Sequence, residues 1–139
     1  MFLPDGSKLA AGSADGMIQV WNIADWVSLI GPFQGHHNTV NSIAFSSDGS
    51  LIASSLKDIT VCVWKVEGGS LAIGPIEGHL NWKTSLAFPP NGMHIAAATS
   101  DYDIWLWDIC CGPPTSTMLI GHCSYVTSLD FSPNGTQLV

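Results

Sequence analysis

The chain has 139 residues, 46% of them apolar, which is enough to bury a core as one domain without disulfides or metal ions. Only 11% of the residues are charged, and 4 basic residues against 11 acidic ones give a net charge of −7. The basic residues are single lysines, with no cluster that could neutralise a run of phosphates. The composition therefore excludes nucleic acid and anionic membrane as expected partners.

The N-terminus and the cysteines favour the cytoplasm. No apolar run approaches the roughly 18 to 20 residues of a spanning helix, and Pro4 and Asp5 stand where a signal peptide would have its apolar stretch. The cysteines are Cys62, Cys110, Cys111 and Cys123. They form no CxxC pair and have no metal-ligand spacing, so we expect reduced thiols, no metal and no cofactor.

A period of 43 residues organises the whole chain. The phenylalanines at this spacing are Phe2, Phe45, Phe88 and Phe131. Asp-Gly or Asn-Gly pairs starting at 5, 48, 91 and 134 keep the same register, as do Gly-His pairs starting at 35, 78 and 121. No insertion or deletion interrupts it. The chain therefore repeats one structural unit, with approximate boundaries 1–34, 35–77, 78–120 and 121–139.

Each period predicts short strands joined by tight turns. An innermost strand is predicted at 40–45 and at 126–131, and it ends in the Asp-Gly or Asn-Gly turn typical of a hairpin. Second strands follow at 8–13, 51–56 and 94–99, and third strands at 18–21, 61–64 and 104–107. A fourth, less regular strand is predicted near 28–30, 70–73 and 116–120, just before each Gly-His. Apolar residues occupy both faces of the third strands, which favours sheets packed on both sides. Four antiparallel strands per unit predict an all-β propeller.

The repeat resembles the WD-repeat β-propeller family. Its features are the Gly-His opening, the Phe-Ser-x-Asp/Asn-Gly turn and the Trp-Asp close at Trp107-Asp108, whereas the dipeptides at 21–22 and 64–65 depart from that close. The uniform spacing, together with the Gly-Pro-x-x-Gly-His stretches that begin at Gly31 and Gly74, also resembles the arrays of fungal NACHT-type signalling NTPases. The length corresponds to about three and a quarter blades of a partial propeller.

The resemblance gives the recurring polar residues a structural role, a buried hydrogen-bond network of histidine, aspartate, hydroxyl and indole. Its members would be His79, Thr99, Asp101 and Trp107 in the third repeat, His36, Asp58 and Trp64 in the second, Ser13, Asp15 and Trp21 in the first, and His122 in the fourth. Leu56 stands where the second repeat should have its hydroxyl, unless Ser54 or Ser55 replaces it. Because the set recurs every 43 residues and an enzyme needs one site, we expect no catalytic residues.

The resemblance also implies a function, because WD-repeat propellers usually bind proteins through the loops near each Gly-His. The residues expected at that face are Trp82, Tyr125, Lys57, Asn81 and Asn38. Amphipathic aromatics dominate interface energies, so Trp82 and Tyr125 are the main candidates. We expect a non-catalytic protein-interaction scaffold. The alternative is the C-terminal sensor array of a larger NACHT-type NTPase whose catalytic domain would precede Met1.

Three and a quarter blades do not close a ring, since propellers have roughly four to eight. We expect a fragment of a longer array. The alternative is assembly between copies, in which 126–131 of one chain completes the first blade of another to give six blades. In both cases bare blade faces favour self-association.

Overall fold

The computed structural model describes residues 1–33, 38–77, 83–110 and 112–139. Within these ranges the strands are β1 (Lys8–Gly12), β2 (Ile18–Asn22), β3 (Ser28–Phe33), β4 (Val40–Phe45), β5 (Leu51–Leu56), β6 (Val61–Lys65), β7 (Leu71–Ile76), β8 (Lys83–Ala87), β9 (His94–Thr99), β10 (Ile104–Asp108) and β11 (Thr115–Leu119). The same ranges contain no helix long and apolar enough to cross a membrane.

The strands form three antiparallel sheets in chain order, which we call blades. Blade 1 is β1-β2-β3, blade 2 is β4-β5-β6-β7 and blade 3 is β8-β9-β10-β11. Every pairing joins strands adjacent in sequence, as in Leu51 opposite Lys65 and Ile104 opposite Ala98. The prediction of an all-β fold of antiparallel blades is confirmed.

The segment 126–131 differs from its prediction as an innermost strand. It forms a single isolated bridge, between Phe131 and Leu138, and Phe2 bridges Leu9 in the same isolated way. A strand is defined by a ladder of hydrogen bonds, and 126–131 has only 137–139 beside it to pair with. The hydrophobic pattern of this segment therefore does not suffice for a strand, because a strand also needs a partner to pair with.

The turn that follows each innermost segment is built identically in all four repeats. Gly6, Gly49, Gly92 and Gly135 occupy it with φ angles between 65° and 72°, a left-handed conformation that glycine adopts without steric cost. The preceding Asp or Asn accepts the N–H two residues further on, at 2.8 Å from Ser7 to Asp5 and 3.0 Å from Met93 to Asn91. The Asp-Gly and Asn-Gly pairs thus specify this turn locally.

Two clusters of apolar side chains lie between the blades. Ile18, Val20 and Phe33 of blade 1 pack against Ile52 and Trp64 of blade 2, with the rings of Phe33 and Trp64 5.9 Å apart and edge-on. Between blades 2 and 3 the corresponding cluster contains Val61, Val63, Ile95 and Trp107. Each of these tryptophans therefore packs against the preceding blade.

Serine hydroxyls also join the innermost strands of neighbouring blades. The Leu86 N–H donates to Ser42 Oγ at 3.2 Å, and the Leu129 N–H donates to Ser85 Oγ at 3.1 Å. Ser42 and Ser85 stand one period apart, so the same bond links blade 2 to blade 3 and blade 3 to the segment after it. We call these two bonds the serine stitches.

Candidate protein-interaction face

One end of the blades brings together the turns β1–β2, β5–β6 and β9–β10 and the segments that lead into the innermost strands. Thr39 Oγ1 donates to the Ala14 carbonyl at 3.1 Å, and the Val40 N–H donates to the Ser13 carbonyl at 3.1 Å. Within blade 2 the Lys57 N–H donates to the Thr39 carbonyl at 3.0 Å. These bonds fix the turns and the entry segments as one surface, which we call the loop face.

Each turn of the loop face contains one residue in the left-handed conformation. It is Gly16 in blade 1, Ile59 in blade 2 and Tyr102 in blade 3, with φ angles of 86°, 69° and 76°. A side chain here is sterically unfavourable, and a β-branched residue such as Ile59 is an outlier. The three turns therefore share one backbone conformation, although the side chain at this position differs between the blades.

An aromatic pair occupies the loop face beside blade 3. The rings of Tyr102 and Tyr125 lie 5.2 Å apart at an interplanar angle of 69°, the edge-to-face arrangement that aromatic rings prefer. Their exposed fractions are 37% and 62%. Sequence reasoning selected Tyr125 and missed Tyr102. The sequence contained the signal for Tyr102. Gly16, Ile59 and Tyr102 are each 43 residues apart, so the repeat places all three in the same turn of the loop face.

Of the other expected contact residues, Lys57 and Asn38 are exposed on this face. Trp82 and Asn81 lie outside the described residues, so their placement stays a prediction.

Asp15 and Asp101 of the expected network accept hydrogen bonds from hydroxyls within their own turns. The Thr99 hydroxyl donates to the Asp101 carboxylate and lies 3.0 Å from the Asp103 carbonyl. Blade 1 repeats this arrangement with Ser13 and Asp15. Hydrogen bonds from the Ser13 hydroxyl and then the Met17 N–H lower the pKa of Asp15, so this carboxylate is ionised at neutral pH.

In blade 2 the turn aspartate has different hydrogen-bond donors, because Leu56 has no hydroxyl. The exposed carboxylate of Asp58 instead accepts the Thr60 hydroxyl at 2.7 Å and the Thr60 N–H at 3.2 Å. Asp58 is therefore a solvent-facing turn residue here, and it accepts hydrogen bonds from the residue two places after it.

The indole of Trp64 bonds to Ser54, one of the two serines that the sequence offered in place of the hydroxyl missing at Leu56. Trp64 Nε1 donates to Ser54 Oγ at 2.8 Å, and both residues are fully buried. Trp64 lies directly opposite Ile52, so Ser54 is its diagonal neighbour on the same sheet face. One period away in either direction this position is alanine, Ala11 in blade 1 and Ala97 in blade 3.

Blade 3 does not bring its predicted hydroxyl and indole side by side. Trp107 lies opposite Ile95, four residues before Thr99 on β9. Trp107 is buried, Trp21 is half-buried and His122 is exposed. His36 and His79 lie outside the described residues, and their role in a network stays a prediction.

The buried thiol of Cys62 offers little nucleophilic chemistry. Cys62 and Cys123 are free, and burial followed by the nearby charge of Asp58 raises the pKa of Cys62 to about 11. A thiol with that pKa stays protonated and unreactive near neutral pH. Among the residues that the structure describes, no group of three His, Cys, Asp or Glu could hold a metal ion.

Sheets of one repeated antiparallel unit, joined face to face, define a repeat-built β-propeller. A family model described as "WD domain, G-beta repeat" matches residues 1–22, 27–65, 71–108 and 112–139. The chain belongs to the WD40 repeat family.

Solved structures share this fold. "Structure of U3-55K" is 24% identical with a TM-score of 0.82, and the match covers 94% of this chain and 41% of that one. "Crystal structure of RRP9 WD40 repeats" is 24% identical with a TM-score of 0.83, covering 94% of this chain and 40% of that one. The chain thus spans about two fifths of each, and at this identity the likeness shows the fold alone. The curated proteins gave no match.

Proposed function

We propose that the chain is a non-catalytic scaffold that binds other proteins through the loop face. The observation that carries this proposal is the Tyr102–Tyr125 pair, two exposed rings from successive repeats that already touch each other. Tyrosine has few rotatable bonds and an amphipathic ring, so it forms large contacts with a small entropy loss. WD40 repeat domains generally bind proteins, which agrees with this use of the surface.

The surroundings of the pair suit an interface. Lys57, Asn38, Asp15 and Asp58 are exposed on the same face. Interfaces commonly place an aromatic centre inside a polar rim that stays partly wet. The loop face therefore combines an aromatic centre with charged and polar side chains that can set specificity.

The test compares two variants of the full chain by quantitative affinity purification. The double variant Tyr102→Ala/Tyr125→Ala removes the aromatic pair. The control, Met93→Ala, removes a side chain that is 48% exposed in the turn before β9, at the opposite end of blade 3. We expect partners to be depleted at least tenfold by the double variant and retained by the control. Equal recovery with both variants, each with a wild-type circular dichroism spectrum, would contradict the proposal.

An alternative proposal is that this chain is the C-terminal sensor array of a larger NACHT-type signalling NTPase. The uninterrupted 43-residue period supports it, because that uniformity is what the resemblance rests on. Coding sequence in frame before Met1 tests it. A nucleotide-binding domain there supports the alternative, and a different upstream domain contradicts it.

We also propose a cytoplasmic location and self-association. The free thiols of Cys62 and Cys123 agree with a reducing compartment, and a fluorescent fusion of the chain tests the location. Self-association is supported by uncovered apolar side chains on the outer blades, which are considered at the scale of the whole molecule below.

A further inference from the structure

The charges on the loop face are mostly acidic. Five carboxylates lie at this end of the blades, those of Asp15, Asp58, Glu77, Asp101 and Asp103. Four of them stand in the turns between second and third strands, and the glutamate directly follows β7, whose last residue lies opposite the first residue of β6. The lysines at the same end are Lys57 and Lys83, so the face has a net charge of −3 in a chain whose net charge is −7. A cationic partner is therefore attracted by this face and by the molecule as a whole.

Two of these carboxylates stand next to the aromatic pair. Asp101 and Asp103 flank Tyr102 in the β9–β10 turn, and both are half-buried. The Thr99 hydroxyl donates to the Asp101 carboxylate and lies 3.0 Å from the backbone carbonyl of Asp103. The Asp103 carboxylate is therefore not used in closing the turn, which leaves it as an acceptor for a ligand. Lys83 lies opposite Thr99 in the pairing of β8 with β9, so two carboxylates stand against one ammonium group here.

The exposed rings offer a second kind of contact for a cation. Tyr102 and Tyr125 are both exposed, with their ring centroids 5.2 Å apart. A guanidinium group suits both neighbours, because it stacks on the electron-rich face of an aromatic ring and donates paired N–H bonds to a carboxylate. An ammonium group is a point charge that forms no such paired bonds. The chemistry of this turn thus fits arginine better than lysine.

Charge alone does not select the loop face, because the opposite end of the blades is acidic as well. The other six carboxylates lie there with Lys8 and Lys65. An exposed ring beside a carboxylate also occurs there, at Trp26 next to Asp25. The loop face differs in that two touching rings and two carboxylates meet around one turn. The charge therefore decides the sign of the partner, and the aromatic pair decides where it binds.

We propose that the loop face binds a basic segment of a partner protein, with an arginine of that segment seated on the Tyr102–Tyr125 pair. The guanidinium stacks on the tyrosine pair and donates to the carboxylate of Asp103, while flanking basic residues lie over the other carboxylates of the face. A metal ion is disfavoured as the occupant, because within the described ranges no group of three His, Cys, Asp or Glu could hold one. The inference rests on the proposed scaffold function, since it names the chemistry of the partner at the same surface.

The experiment titrates the ¹⁵N-labelled full chain with the peptide acetyl-Lys-Ala-Arg-Ala-Lys-amide. We expect saturating amide shifts at Asp101, Asp103 and Tyr125. The peptide with citrulline in place of arginine keeps the shape without the charge and should bind at least tenfold more weakly. The peptide with glutamates in place of the lysines should also bind at least tenfold more weakly. Absence of the shifts, or equal binding of the arginine and citrulline peptides, overturns the proposal.

Variants of the protein identify the contact, and all of them should keep the wild-type amide dispersion. Asp103→Asn should weaken peptide binding at least fivefold, whereas Asp108→Asn, which removes the same charge at the opposite end of β10, should leave the affinity within twofold. Tyr102→Ala/Tyr125→Ala should weaken binding at least tenfold, whereas Trp26→Ala should leave it within twofold. An equal loss with Asp108→Asn would show that net charge alone decides binding, and it would overturn the proposal.

Three further results separate the alternatives. Shifts of the same amides by Ca²⁺, without binding of the peptide, would assign the carboxylates to a metal ion and overturn the proposal. Depletion of partners by Tyr102→Ala/Tyr125→Ala in the affinity purification, without peptide binding to the wild-type chain, would remove the basic-partner proposal and keep the loop-face scaffold. Peptide binding without depletion of partners would remove the scaffold proposal alone.

Discussion

Ser54 and Ser55 are adjacent on β5 and both are fully buried, yet their hydroxyls have different surroundings. Ser54 Oγ accepts the indole N–H of Trp64 on one face of the sheet. Ser55 Oγ, on the other face, has no hydrogen-bond partner in the described structure. The residues at the Ser55 position in blades 1 and 3 are Gly12 and Ala98, which have no polar side chain to satisfy.

This contrast predicts opposite effects of the same substitution. Ser55→Ala should raise the free energy of unfolding by about 1 kcal/mol, because a buried hydroxyl without a partner loses its hydrogen bonds to water and gains none in the protein. Ser54→Ala should lower it by about 1 to 3 kcal/mol, because the Trp64 indole loses its acceptor. Urea unfolding of both variants measures the difference. Equal destabilisation by the two changes would contradict the hydrogen-bond assignment.

Ile59 stores strain that glycine would release. Its φ of 69° is sterically unfavourable for a β-branched side chain, and Gly16 takes the same position in blade 1. Ile59→Gly should therefore raise the free energy of unfolding by about 1 kcal/mol. The control Lys57→Gly, in the same turn, should lower it by about 0.5 kcal/mol through the entropy of the unfolded chain. Thermal unfolding tests both, and destabilisation by Ile59→Gly would contradict the account.

At the residue scale the sequence predicted which residues recur but not all of their partners. The period places Trp64 and Trp107 on equivalent strands, and both are buried as expected for core residues. The repeat pattern did not determine which hydroxyl accepts the indole N–H. Ser54 and Thr99 stand two places apart in the repeat, and only the strand register shows which of the two positions an indole can reach. Register depends on pairing between strands, which a repeat pattern does not contain.

At the scale of elements, the serine stitches connect β4 to β8, and β8 to the segment 126–131. Ser42→Ala and Ser85→Ala should each lower the free energy of unfolding by about 1 kcal/mol, since each leaves a backbone N–H of the next repeat without its acceptor. Ser128 has the same position in the last repeat, and it is exposed. Ser128→Ala should change stability by less than about 0.5 kcal/mol. Chemical denaturation of the three variants tests this, and a loss with Ser128→Ala as large as with the other two would contradict it.

The predicted elements agree best where the signal is local. Asp-Gly and Asn-Gly pairs fix the turns, and β4, β5 and β9 span the ranges predicted for them. Two of the three fourth strands extend past their predicted ends at 30 and 73, since β3 ends at Phe33 and β7 ends at Ile76, whereas β11 has the predicted length. The pairing of β3 with β2 also contains register shifts. The pairing of β6 with β7 has shifts at the equivalent positions one period later, so the irregularity recurs with the repeat, but the alternation of apolar residues alone does not reveal it.

At the scale of the whole molecule, burial depends on whether a neighbouring blade is present. Phe33, Ile76 and Leu119 occupy one position in successive repeats, and their exposed fractions are 2%, 8% and 42%. The next blade covers the first two, whereas every residue of β11 is exposed. On the opposite side, Trp21 is half-buried while Trp64 and Trp107 are only 1% exposed. Both outer faces therefore present apolar side chains that equivalent residues bury between blades.

The central claim is that these blades form an open arc whose outer faces need to be covered by protein. Size-exclusion chromatography with light scattering over a range of concentrations tests it most directly. We predict a mass above 14.8 kDa that rises with concentration, because the β11 edge and the Leu119 face favour association. A single species of 14.8 kDa at all concentrations, with one cooperative unfolding transition, would contradict the claim.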